Sequence, residues 1–407
     1  MNFPKTKIIK FKISKTLQNK IRKGYPWVFH YQVQNELEKG EPGDLGVVYD
    51  SKNRFLAIGL YDPFSDIRLR ILNTQSPMEF DLPFLQERFL KARAIRQSLE
   101  DRETNAYRVL NGENDGFPGL VLDRYGDTAV LKLYTVAWAP HLEKILSVIK
   151  EHLNVQRCVL RLGRKAADVV SQLIELQDGE ILFGEPLKGP VRFRENGLWF
   201  EADVIHGQKT GFFLDQRENR EHIRRLSEGK SVLNVFSYSG GFSVYAVAGG
   251  CRSLLEIDIN SHALKAAKQN LRINFSDSTL ASMDYRQMQG DAFQQLAELQ
   301  RQHQKFDVVI LDPPAFAHKK TQKENALRAY ARLAEAGTQL TQSQGLLFAA
   351  SCSAHVPEQD FFQAVGRGIQ RAGKKYEELL RTGHAQDHPV TFSEGKYLKA
   401  VFCRIMV

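Results

Sequence analysis

Five short stretches in the second half of the chain carry residue types that could do chemistry together. Residues 347–356 read LFAASCSAHV, an apolar run that ends on Cys352 between two serines. Upstream, VVILDPPAF sets Asp312, Pro313 and Pro314 after another apolar run, with Phe316 one residue beyond Ala315. QGDAF puts Asp291 after a third expected strand, and SLLEIDI brings Glu256 and Asp258 to the end of another. SVLNVF then leads into the small-residue string of Phe236, Ser237, Tyr238, Ser239, Gly240 and Gly241. A glycine pair in a tight turn ahead of a helix lets a ligand approach the backbone. A carboxylate about twenty residues further on stands where it can accept from ribose hydroxyls.

The turn lacks the G-x-G-x-x-G spacing, and a turn this tight leaves little room for a pyrophosphate, which favours S-adenosylmethionine over NAD. With that donor, Asp291 could hold the adenine amino group. Asp312 could offer a base edge an acceptor, or a donor if protonated, on a loop stiffened by two prolines. Any one of these acids alone could equally be a loop cap; three at successive strand ends form a series that points to a donor site. The order of glycine turn, ribose acid, adenine acid and D-P-P resembles the class I methyltransferases. Base-N6 enzymes of that class put an aromatic directly after the second proline, where this chain has Ala315.

Carbon 5 of a pyrimidine is too weakly nucleophilic to take a methyl group unaided. A thiolate that adds at carbon 6 makes an enamine whose carbon 5 can attack a sulfonium methyl group, after which the adduct collapses by loss of the carbon-5 proton and of the thiol. Cys352 follows GLLFAAS and should emerge on the rim that carries Asp312. By residue type alone a cysteine is more often an inert buried thiol; its place after a complete donor-binding series turns the reading to catalysis. A nearby cation or hydrogen-bond donors would have to favour the thiolate, and Lys319 and Lys320 are candidates on spacing. Cys158 and Cys403 sit in apolar runs and read as core, and Cys251 as a turn residue.

These stretches need a scaffold. From about residue 185 strands and helices alternate, the pattern of a doubly wound parallel sheet whose ligands sit beyond the carboxyl ends of its strands. Residues 1–74 read instead as a small basic β-rich module, with short strands in GDLGVVYD, RFLAIGLYD and DIRLRIL and turn chemistry between them. Its GYPWVF string mixes aromatics with neighbouring lysines and arginines, either to stack on bases or to close a small core. Residues 75–184 open with the helical LPFLQERFLKARAIRQSLE and continue as a compact α+β domain. Three domains fit a chain of 407 residues.

The formal net charge of +9 favours a polyanionic partner. No run of eighteen apolar residues occurs, and the start MNFPKTKIIKFKIS lacks a signal peptide's apolar core. A cytoplasmic protein with no membrane partner is therefore expected. The four cysteines lack C-x-x-C spacing, so neither a metal site nor a disulfide framework is expected.

Several long strings extend the resemblance over the whole chain. GYPWVF and EPGDLGVVYD, NGENDGFPGLVLDRYGD, GQKTGFFLDQRENR, SCS and DHPVTFSEGKYLKAVFCRIMV are similar to segments of the bacterial 23S ribosomal RNA cytosine-5 methyltransferases with an N-terminal PUA domain. The resemblance implies an α/β protein: a Rossmann-like class I methyltransferase domain over residues 185–407, preceded by a β-rich PUA domain and a central α+β domain. It implies Cys352 as nucleophile and Asp312 as the group that orients the cytosine. Asp258 would hold the donor ribose and Asp291 its adenine, with Phe236, Ser237, Tyr238 and Gly240 around the methionine end. Lys209, Phe213, Asp215 and Gln216 would shape the donor pocket, while Pro313, Pro314, Phe316 and Lys319 would meet the substrate. Asn234 stands where many methyltransferases have an acid. No second cysteine accompanies D-P-P, so the base that removes the carbon-5 proton is unassigned; His388 could serve, or be structural.

The implied partner is large-subunit ribosomal RNA, with a homodimer left open. Deleting residues 1–74 would then harm RNA affinity more than donor affinity. Three other readings remain: a ribosomal RNA guanine-nitrogen methyltransferase that forms no covalent intermediate, an RNA-bound assembly factor that only holds S-adenosylmethionine, and, more distantly, a dehydrogenase.

Overall fold

The structure, a computed structural model, describes residues 6–36, 40–100 and 103–406. The first residues of the basic N-terminal run, 1–5, lie outside them. The chain forms two compact units: Met1–Gly197 with Ala202–Phe212 and Gln386–Ser393, and Leu198–Glu201 with Phe213–Ala385 and Glu394–Val407.

The first unit holds two sheets. Six strands lie in the order Trp27–Phe29, Ile67–Asn73, Phe55–Tyr61, Leu45–Tyr49, Ile8–Ile13 and Val33–Glu36. Along Ile8–Ile13 the period-two pattern buries Ile9, Phe11 and Ile13 and exposes Ile8, Lys10 and Lys12. Val28 joins that core, while the Trp27 indole, half-buried, donates to Glu113 Oε1 at 2.7 Å. The second sheet orders Ile181–Phe183, Arg157–Leu162, Thr128–Leu133, Leu120–Tyr125 and Ala106–Asn111. Its core includes Phe89, Phe117 and Trp138, with Phe89 supplied by helix Leu82–Glu100.

The same unit buries Arg96, which forms a two-pronged ion pair with Asp115 at 2.9 and 2.6 Å. The late segment Gln386–Ser393 completes this region. Arg96 Nη2 donates to Asp387 O at 2.8 Å, the Arg108 amide to Asp387 Oδ2 at 2.7 Å, and Asn111 Nδ2 to Pro389 O at 3.0 Å. His388 is 2 % exposed and rests 3.0 Å from Asp387 Oδ1, a hydrogen-bonded histidine inside the first unit.

The second unit is one seven-stranded sheet. Its strands are β1 (Ser231–Val235), β2 (Ser253–Asp258), β3 (Asp284–Gln289), β4 (Phe306–Leu311), β5 (Thr341–Ser351), β6 (Lys375–Thr382) and β7 (Lys399–Met406). They lie in the order β3-β2-β1-β4-β5-β7-β6, and β7 alone runs antiparallel to its neighbours. Every residue of β1 is buried, as a parallel strand covered on both faces requires. Helices α1 (Gly241–Ala248), α2 (Ser261–Arg272), α3 (Ala292–Arg301), α4 (Lys323–Leu340) and α5 (Glu358–Arg371) follow successive strands. The strand order reverses at β1, so the carboxyl ends of β1, β2 and β4 frame the place where such sheets bind ligands. Among the described residues, no helix is long and apolar enough to cross a membrane, and no group of His, Cys, Asp or Glu could hold a metal ion.

Candidate active site

At the end of β1 the chain turns sharply into α1. Phe236, Tyr238 and Gly240 take positive φ of 63°, 47° and 77°, a conformation that costs a non-glycine residue about 1–3 kcal/mol and persists only where the surroundings impose it. Gly240 has no alternative, because a Cβ there would lie 2.8 Å from Ala267 Cβ on α2. Asp258, at the end of β2, braces the turn: Oδ2 accepts from the Tyr238 amide and Oδ1 from the Asn260 amide, both at 2.8 Å. The Phe213 ring meets Tyr238 edge-on at 5.2 Å.

Two hydroxyls in this turn, Ser237 Oγ and Ser239 Oγ, are buried without a hydrogen-bond partner among the described residues. Buried polar atoms left in that state ask for a ligand or water to complete them. The amino-acid end of S-adenosylmethionine carries both donors and acceptors, so the residues present fit that group.

The sequence-derived acids divide. Glu256 lies inside the sheet, where Tyr285 OH and Gln287 Nε2 donate to Oε2 at 2.7 and 2.8 Å, and burial pushes its carboxyl above the usual range. Asp258 stands on the rim. Asp291 is exposed and caps α3 by accepting from the Gln294 amide at 3.1 Å. Asn234 is buried and donates to Ser243 Oγ at 2.9 Å.

Asp312 follows β4, and its Oδ1 accepts from Gln216 Nε2 at 3.0 Å, which joins the LDQ turn to the D-P-P loop. Gln216 is steadied in turn by Asn219, whose Nδ2 donates to Oε1 at 2.5 Å. Asp215 is buried and accepts from Tyr397 OH at 2.7 Å. Pro313 is buried and Pro314 exposed; Phe316, half-buried, packs on Tyr330 with ring centroids 4.8 Å apart. Lys319 and Lys320 are exposed, and Lys209 belongs to the first unit.

Leu311 of β4 pairs with Ala349 of β5, so Asp312 and Cys352 leave adjacent strands at the same rim. Cys352 is partly exposed, whereas the serines on either side are buried. Those serines are anchors. The Tyr330 hydroxyl lies 2.8 Å from Ser351 Oγ and 2.9 Å from Ser353 Oγ, and the Ala317 amide donates to Ser353 Oγ at 3.3 Å. One network thereby fixes the backbone before and after the sulfur and ties it to the loop that follows D-P-P. The other three cysteines are buried, and burial pushes each thiol up to about 12.

Sequence reasoning passed over Lys399. It opens β7 opposite Ser351 and is 1 % exposed. Its ammonium donates to three carbonyl oxygens, Ser353 at 2.6 Å, Val356 at 2.7 Å and Tyr397 at 3.1 Å. Burial lowers its pKa to about 8, with Cys352 and Glu358 acting in the opposite direction. The available signal was a lysine heading a strand that is apolar apart from Arg404, KAVFCRIM.

A sheet of this order, with a strained glycine turn at its reversal point and acids along its rim, defines a class I methyltransferase domain. Residues 167–362 match the model of the S-adenosylmethionine-dependent methyltransferases, and residues 11–74 that of PUA-like domains. A ribosomal RNA large subunit methyltransferase of Deinococcus radiodurans is 46 % identical over 402 residues, covering 98 % of this chain and 97 % of that one. The ribosomal RNA large subunit methyltransferase I of Escherichia coli O127:H6 is 32 % identical over 98 % of this chain and 100 % of its own. A methyltransferase structure solved with S-adenosylhomocysteine superposes with a TM-score of 0.83 at 21 % identity, covering 97 % of this chain and all of the other (100 %). The chain belongs to the S-adenosylmethionine-dependent methyltransferases, in the family of these large-subunit ribosomal RNA enzymes. Its fold is a Rossmann-like α/β domain with an N-terminal PUA-like β-rich domain, and its methyl donor is S-adenosylmethionine.

Proposed function

We propose that this protein methylates carbon 5 of a cytosine in large-subunit (23S) ribosomal RNA through a transient bond to Cys352. The observation that carries the reading is the accessible Cys352 between two buried, hydrogen-bonded serines, on the rim shared with the D-P-P loop. The ribosomal substrate is supported by what the Deinococcus and Escherichia relatives are named for. S-adenosylmethionine supplies an electrophilic methyl group. Cys352 Sγ would add to carbon 6, carbon 5 would take the methyl group as the methyl–sulfonium bond breaks and S-adenosylhomocysteine leaves, and loss of the carbon-5 proton to a base would break the carbon 6–Sγ bond and return the thiolate.

The turn residues Phe236, Ser237, Tyr238 and Gly240 hold the donor together with Asp258 and Asp291, and Asp215 and Gln216 support that pocket. Asp312 orients the cytosine, and Pro313, Pro314, Phe316 and Lys319 line its approach. An unstacked base is needed, at a cost of about a few kcal/mol, and residues 1–74 and 75–184 offset that cost with phosphate and shape contacts before the catalytic residues 185–407 act. Lys10 and Lys12, side by side on the exposed face of Ile8–Ile13, belong to that contact surface.

Methyl transfer from labelled donor into unmodified large-subunit RNA, followed by mass analysis of the digest, tests the reading. Cys352→Ala is expected to abolish transfer while donor binding persists. Full activity in that variant would remove the sulfur and leave a guanine nitrogen as the target. No transfer by the unaltered protein would leave only a factor that holds the donor.

A further inference from the structure

We infer that the Lys399 ammonium is a positioning residue that keeps Cys352 in its thiolate form by placing a fixed positive charge behind the end of β5. The inference rests on the proposed role of Cys352 and supplies the cation that this role requires. Lys399 faces Ser351 across the β5–β7 pairing and bonds the carbonyl of Ser353, so its charge is tethered to the residues on both sides of the sulfur.

The hydrogen bonds fix which protonation state is at work. An ammonium has three N–H donors, and Lys399 has three carbonyl acceptors, Ser353 O, Val356 O and Tyr397 O. A neutral amine would turn a lone pair toward one of those oxygens. Lys399 therefore serves as a charge, and carries no proton to or from substrate. Burying an ammonium costs stability unless its donors are satisfied; here the protein satisfies all three with backbone and leaves the charge little screened by water.

Lys399 is coupled electrostatically to three neighbours: Cys352 and Glu358 favour its charged form and Lys396 opposes it. Glu358 is paired with Lys396 on the surface, so those two largely offset one another. Tyr330, on the opposite side of the network, is also coupled to Cys352, and burial holds its hydroxyl protonated. It accepts from Ser351 Oγ, shares a hydrogen bond with Ser353 Oγ, and brings no competing charge.

Iodoacetamide reacts with thiolate, and peptide mass analysis reads Cys352 separately from Cys158, Cys251 and Cys403. In the full-length protein the rate of Cys352 alkylation is measured against pH with no RNA present. Lys399→Met is expected to move the midpoint up by about one unit or more and to slow alkylation at neutral pH about tenfold, whereas Lys399→Arg keeps the midpoint near that of the unaltered protein. An unmoved midpoint in a Lys399→Met protein that still binds S-adenosylmethionine overturns the inference. Should Lys399→Met fail to fold, the unaltered protein decides: a midpoint below the about 8.5 of a free thiol supports the inference, and one at or above that value refutes it. RNA carrying 5-fluorocytosine, which retains the adduct, tests the nucleophile separately. Absence of the adduct beside a low alkylation midpoint would sink the proposed function and leave the thiolate–ammonium pair standing.

Discussion

Replacing Tyr330 by Phe removes a single oxygen from the structure, and that oxygen joins both serines around Cys352. Tyr330 is 2 % exposed. Its ring packs against Phe316 at 4.8 Å and Phe361 at 5.1 Å, and a phenylalanine would keep both contacts, so no cavity opens. What is lost is the pair of bonds to Ser351 Oγ at 2.8 Å and Ser353 Oγ at 2.9 Å. At about 0.5–1.5 kcal/mol net for each, the second unit should lose about 1–3 kcal/mol. Both serines keep a weaker backbone partner, since the Ser353 amide donates to Ser351 Oγ and the Ala317 amide to Ser353 Oγ, each at 3.3 Å, which favours the lower half of that range. Urea unfolding gives the stability term. Methyl transfer and donor titration give the functional one, with turnover falling about tenfold or more, as misplacement of a reacting group implies, and donor affinity unchanged. In a cycle with Ser351→Ala the two losses should be less than additive. Strict additivity, or a Tyr330→Phe enzyme with full turnover, would refute the view that the serines hold the sulfur in place.

Other outcomes follow from single contacts. Gly240→Ala puts a Cβ into a residue at φ +77°, 2.8 Å from Ala267 Cβ; the left-handed cost of about 1–2 kcal/mol alone should weaken S-adenosylmethionine binding about 5- to 30-fold by titration calorimetry. Arg96→Met leaves Asp115 charged and buried, and urea unfolding should show the first unit destabilised by about 3–5 kcal/mol, with donor binding in the second unit retained. His141 is held near neutral: burial lowers its pKa to about 4 from 6.5, although its ring bonds Gly43 O at 2.8 Å. Only the unfolded chain takes up its proton as the pH falls from 6.5 toward 4, so the first unit should lose roughly 3 kcal/mol across that window, a loss that His141→Gln should flatten.

What was legible in the sequence followed from local rules. LPFLQERFLKARAIRQSLE is a helix from end to end, Leu82–Glu100, because apolar residues recur three and four apart and neither Gly nor an interior Pro interrupts them. The alternation after residue 185 resolves into the parallel sheet, and the chain termini of β1, β2, β4 and β5 bring Tyr238, Asp258, Asp312 and Cys352 to one rim. What escaped depends on pairing between distant strands. Nothing local indicates that Lys399 will oppose Ser351, or that Tyr330 on α4 will reach both serines. The same limit explains Glu256 and Asp258: two residues apart on one strand they look interchangeable, and only the position of the strand's end decides which one is interior and which reaches the rim. In the GYPWVF string, Val28 packs into the core while the Trp27 indole finds Glu113 far along the chain.

The excursion Gln386–Ser393 has a bearing on biogenesis. A ribosome releases this polypeptide in order, and Arg96 and Arg108 emerge long before Asp387, whose carbonyl and carboxylate they engage. The early-made unit must therefore wait with that niche open until six of the seven sheet strands of the later one have been translated. Synthesis proceeds from the amino terminus, yet the N-terminal body acquires its last clasp only after most of its neighbour exists.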